Sequence, residues 1–131
     1  MNIFISQPVI GRTTEEILKE YREIMDWCKD RFSNQKQHKD NCRYKNNDIK
    51  FINPPIPPLS PYKDELLKWF LMVDIAVFAK GWESERDCVM EHHICNNYGI
   101  TIYELYDGYC ICQRKETKNV CFYLATNGTL N

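Results

Sequence analysis

Residues 73–79 read Val-Asp-Ile-Ala-Val-Phe-Ala, an apolar run broken by one polar side chain and closed by Lys80 and Gly81. A strand with one wet face alternates apolar and polar residues, so a run without alternation is a strand covered on both faces, as inside a parallel sheet. Parallel neighbours need crossover helices, and the flanking sequence must supply them.

It does so on both sides. Residues 3–5 form a first buried strand that ends in Ser6, Gln7, Pro8 and Gly11. Thr13 or Thr14 caps a helix with Glu15 and Glu16 in its first turn, where the dipole favours negative charge. Ile17, Leu18, Tyr21, Ile24, Met25, Cys28 and Phe32 follow at spacings of three and four, the stripe of an amphipathic helix. Residues 33–47 are polar and read as a loop, and residues 49–52 as a second strand. The prolines within residues 53–58 keep that segment extended, as a plain spacer or as the wall of a site. Ser60 and Pro61 open a helix that buries Leu66, Leu67, Phe70 and Leu71 before the central run. After it, Ser84 opens another helix, with Glu85 and Asp87 in the first turn, Val89, Met90, His93, Ile94 and Tyr98 inward, and Gly99 as its stop. Residues 100–105 are the next strand, and residues 109–112 and 120–124 a strand pair joined by a polar stretch. The alternation specifies an α/β fold: an open parallel sheet with helices on both faces, plus a C-terminal β-hairpin-like extension.

The chain has 131 residues, the size of one domain, divisible into an α/β unit over 1–107 and an extension over 108–131. A net charge of -1 and a pI of about 6.3 give no electrostatic footprint for a nucleic-acid polymer or an anionic membrane. The N-terminal apolar run is too short for a signal sequence, which points to a cytoplasmic protein with reduced thiols. Seven cysteines include no CxxC pair. Cys110 and Cys112 could hold a soft metal, yet a period of two already makes them same-face side chains of a strand, and the cysteines read as small core residues.

Ligands of parallel α/β sheets bind beyond the C-terminal strand ends. Three segments converge on that rim: residues 6–12, 53–60 and 80–87. Glu91 lies one helical step below Asp87 and can turn toward the rim, while backbone N–H groups of residues 84–87 would offer an anion site. Ser6 and Gln7 can hydrogen-bond a sugar, Arg12 and Arg86 can hold phosphate or carboxylate oxygens, and Trp82 is equally suited to stack on a base or to cap the strand edge. His92 and His93 are acid–base candidates or fillers, and Tyr103, Tyr106 and Tyr109 an aromatic cluster that could form a subunit contact.

The Ile3-Phe4-Ile5-Ser6-Gln7-Pro8 segment, Gly11, the stretch from Thr13 to Ile17, and Asp74 to Phe78 followed by Gly81-Trp82-Glu83 and Glu91-His92 resemble the small phage and bacterial domains classed with nucleoside 2-deoxyribosyltransferases. The resemblance spans roughly residues 1–107. It implies a flavodoxin-like (Rossmann-like) fold that cleaves or transfers the N-glycosidic bond of a nucleoside or nucleotide, with Glu91 attacking C1′ of the sugar and a free base or water resolving the glycosyl-enzyme. The leaving base then draws its proton from Glu85, Asp87 or Asp64. The expected ligand site comprises Ser6, Gln7, Pro8, Gly11, Arg12, Gly81, Trp82, Ser84 and Arg86, with no metal and no cofactor. Its partners would be a small nucleoside- or nucleotide-like ligand and further copies of the chain, in a homodimer or higher homo-oligomer. Related sequences carry glycine where this chain has Asp87, whose bulk and charge oppose a phosphate, and superfamily hydrolases place an aspartate in the helix that here holds Leu66 and Leu71. A protein that binds a nucleotide or ADP-ribose-type ligand without turnover is the alternative.

Overall fold

A computed structural model describes residues 1–33, 49–52, 70–113 and 118–122, the last run by its backbone. The proline segment and most of the helix opened by Ser60, Asp64 included, lie outside the described residues.

The fold is α/β, with one mixed and mostly parallel sheet. Its strands are β1 (Asn2–Ser6), β2 (Lys50–Phe51), β3 (Ile75–Phe78), β4 (Thr101–Tyr106), β5 (Tyr109–Gln113) and β6 (Lys118–Phe122), in the order β2-β1-β3-β4-β5-β6. The first four pair in parallel, and β5 and β6 add antiparallel ladders. The helices that lie wholly within the described residues are α1 (Thr14–Ser33) and α2 (Arg86–Asn97), the latter preceded by a short 3₁₀ turn, Trp82–Ser84.

The central run meets its expectation. Ala76, Val77, Phe78 and Ala79 are wholly buried, and their alternation divides the core in two. Val77 and Ala79 join Ile3, Ile5, Tyr103, Leu105, Cys110 and Cys112 with Tyr21, Ile24, Cys28 and Phe32 of α1. Ala76 and Phe78 join Phe4, Phe70, Ile102 and Trp82 with Cys88 and Cys95 of α2. Cys110 and Cys112 thus share one face as the strand period requires, and Cys28, Cys88 and Cys95 are buried as they are. Asp74 accepts the Asn2 N–H at 2.7 Å and returns its own N–H to the Asn2 carbonyl at 2.9 Å, fixing the register of β1 on β3 where the strands begin.

Three expectations need correction. Leu71 is 80% exposed, because the chain leaves the helix at Phe70 and turns into β3. Tyr103 is no surface residue: it lies under α1 against Phe32 and Trp27, with the Arg31 guanidinium 5.2 Å from its ring centroid. It cannot share a subunit contact with the Tyr106–Tyr109 stack, which strand alternation sends to another face. In α2, Met90, His93 and Tyr98 are exposed, and the buried stripe is Cys88, Glu91 and Cys95. Gly99 does stop the helix. At φ 69° it lets the Ile100 N–H reach the Cys95 carbonyl and its own N–H the Asn96 carbonyl, the paired bonds of a Schellman ending.

Candidate functional site

Strand order reverses between β1 and β3, the point at whose C-terminal edge sheets of this kind form a ligand-binding crevice. Two loops border it, one from Ser6 to α1 and one from Phe78 to α2. They are close enough that a Cβ on Gly81 would touch Pro8 Cγ at 3.7 Å. Gly81 has φ 87°, a left-handed conformation that favours glycine, and it starts the 3₁₀ turn that carries Trp82 back over Phe78.

Across this edge the register aligns Ser6 with Phe78, Phe78 with Glu104, and Glu104 with Ile111. Two consecutive residues of α2 cover the row. Glu91, 2% exposed, receives the Ser6 hydroxyl at 2.6 Å on Oε1. His92 packs on Phe78 and stacks flat beneath Trp82, with ring centroids 4.2 Å apart and planes within 3°. Its Nε2 lies 2.6 Å from Glu104 Oε2, so the form that carries an Nε2 proton donates to the carboxylate. Gln113 donates to the same oxygen, and the Tyr106 hydroxyl donates to Oε1 at 3.1 Å. Burial chiefly, with the Glu104 charge beside it, pushes the Tyr106 phenol well above its ordinary range. Trp82 is therefore committed to a buried aromatic stack and is not an open platform for a base.

Glu85 has a different post. Its backbone is extended at the residue that caps α2, and its side chain, 5% exposed, reaches into the loop after β1. There Oε1 accepts the N–H groups of Val9 and Ile10, each at 2.9 Å, and Oε2 accepts Val9 at 3.2 Å and the Cys88 thiol at 3.2 Å. Burial foremost, then the carboxylates of Glu85 and Glu91, push the Cys88 thiol far above its usual range. Cys95 is pushed up to about 12, by burial first and then by the Glu91 charge. These thiols are poor nucleophiles and serve as packing.

The structure therefore brings Ser6, Glu85 and Glu91 together around Cys88, with Pro8 and Gly81 closing the loops above. It leaves Ser84, Arg86, Asp87 and Gly11 exposed. Gln7 and Arg12 are engaged internally: Gln7 Nε2 donates to the Ile17 carbonyl and to Glu20, and Arg12 Nη1 to the Pro8 carbonyl and to Glu20, both at 2.8 Å. The expected anion site at residues 84–87 is half consumed, since the Ser84 and Glu85 N–H groups donate to the Gly81 and Trp82 carbonyls and the helix starts only at Arg86. Glu104 escaped the sequence reading, although a carboxylate two residues after Ile102 on a buried strand was a visible signal. Among the described residues no cluster of three His, Cys, Asp or Glu side chains is arranged to hold a metal ion, and no helix is long and apolar enough to cross a membrane.

No protein-family model, curated protein or solved structure matches this chain.

Proposed function

We propose that the chain cleaves or transfers an N-glycosidic bond, with Glu91 as nucleophile. One observation carries the reading: Glu91 is a buried carboxylate at the strand-order reversal, aligned by the Ser6 hydroxyl at 2.6 Å. A carboxylate oriented by a neutral hydroxyl can stabilise or trap an oxocarbenium-like carbon. In the proposed step a Glu91 oxygen bonds to C1′ as the C1′–N bond breaks, and the electron pair and a proton go to the departing base. Water or a second base then attacks C1′ and restores the carboxylate. Glu85 is occupied by amides, which leaves Asp87, in the exposed first turn, and Asp64, outside the described residues, as the acids for this step. The fuller description of the fold belongs to the same reading: flavodoxin-like, from the 2-1-3-4 order of the parallel strands, with helices on both faces, a C-terminal hairpin-like extension, and assembly as a homodimer or higher homo-oligomer in the cytoplasm.

A panel of nucleosides and nucleotides incubated with native protein and with Glu91→Ala tests this by chromatography of free base. Release by the native chain and none by the variant is the expected result. Release that survives Glu91→Ala removes the nucleophile. The near-complete burial of Glu91 favours a second reading, in which the crevice binds a nucleotide or ADP-ribose-type ligand without turnover. Its mark is a raised melting temperature with no base released.

A further inference from the structure

We propose that Glu85 is an internal anion that fills the amide nest after β1, and so restricts the crevice to ligands that present no phosphate there. The inference deepens the proposed function: the substrate is an uncharged nucleoside rather than a nucleotide.

In parallel α/β sheets the loop after the first strand is the common seat for a phosphate, because successive backbone N–H groups there can point at one anion. This chain forms such a nest and satisfies it itself. The consecutive N–H groups of Val9 and Ile10 both converge on Glu85 Oε1 at 2.9 Å, and the carboxylate is 5% exposed. A second and independent observation is the fate of the neighbouring cation. Arg12, on the same loop as the nest, donates to Glu20 and to the Pro8 carbonyl, both at 2.8 Å, so its charge is already met inside the protein. Around Cys88 the buried acidic groups are the carboxylates of Glu85 and Glu91, and both raise the pKa of the thiol between them. A phosphate brought to this loop would have to displace one carboxylate and lie beside the other. A sugar hydroxyl carries neither cost. Glu85 is then a specificity determinant that also holds the loop in place, and it is not the acid that protonates the leaving base.

Inorganic phosphate is the direct probe, titrated into native protein, Glu85→Ala and Glu85→Gln at matched ionic strength with chloride. The Val9 and Ile10 amide resonances and the melting temperature are followed. In Glu85→Ala, phosphate shifts both amides and raises the melting temperature by several degrees. In the native protein it does neither, and in Glu85→Gln, where a neutral side chain still occupies the nest, the response is weak. Equal phosphate binding by native protein, or a folded Glu85→Ala that ignores phosphate, overturns the proposal. If Glu85→Ala folds only when phosphate is present, the nest is confirmed as an anion seat; if phosphate does not restore folding, the proposal is lost. A second arm compares a nucleoside with its 5′-monophosphate. Native protein selects the nucleoside by tenfold or more, and Glu85→Ala narrows that preference. Failure of every nucleoside and nucleotide to bind would remove the proposed function, while the phosphate titration would still decide the role of Glu85.

Discussion

Glu85, Glu91 and Glu104 are buried carboxylates, and each is kept out of water by a different set of donors: backbone amides, a serine hydroxyl, and a histidine with an amide and a phenol. An isolated charge in that position would be severely destabilising, so the donors are a condition of the fold. Glu104 draws its partners from three elements, α2, β4 and β5. Glu104→Ala would take a partner from His92, Tyr106 and Gln113 together, and a loss of about 3–5 kcal/mol is expected, as for breaking any buried pair by removing one partner. Urea unfolding measures it, and a loss below about 1 kcal/mol would show that the network is solvated in solution. The roles of these carboxylates were unequally legible. Glu91 could be singled out because it follows the rim loop on a helix, whereas the task of Glu85 depends on Val9 and Ile10, residues 76 and 75 positions away, whose contribution is backbone and leaves no trace in side-chain pattern.

At the scale of elements, α1 was read from its spacing and α2 was misread from its own. The α1 stripe of Ile17, Tyr21, Ile24, Cys28 and Phe32 is strongly apolar and is buried as expected. Its start is a capping box: the Glu16 N–H donates to Thr13 Oγ1 at 3.1 Å, and the Thr13 N–H to Glu16 Oε1 at 2.8 Å. The α2 helix buries thiols and a carboxylate, which a search for large apolar residues passes over in favour of Met90 and Tyr98. Thr13→Ala should cost about 1 kcal/mol of stability. The Glu16 carboxyl is held below its ordinary range, first by the Thr13 backbone N–H and then by the Thr13 side chain. A depressed carboxylate contributes stability that is present above its unfolded value and lost as pH falls through the folded one. The difference in melting temperature between native protein and Glu16→Gln is therefore expected to be largest near neutrality and to close on acidification through the carboxylate range. A difference that stays constant across that range would mean that the box acts through geometry and not through charge.

For the whole molecule, the central run at residues 73–79 determined more than one strand, since a strand buried on both faces demands neighbours on each side and helices over each surface. What it could not specify is how the sheet ends. Residues 108–131 read as an addition because β5 and β6 follow a tight turn and pair antiparallel, a local pattern that looks separable from the parallel unit. The packing of β5 is not separable. Cys110 and Cys112 lie in the same core cluster as Tyr103, Leu105 and the α1 stripe, and Gln113 donates to Glu104 beneath α2. A chain ending at Asp107 would strip the β4 edge of its ladder, uncover Tyr103 and Leu105, and leave Glu104 short of a donor. Such a chain is expected to lose cooperative urea unfolding, where the native protein retains it. Cooperative unfolding of the shortened chain, with a midpoint close to that of the native protein, would show that residues 1–107 are self-sufficient and that β5 only lies against them.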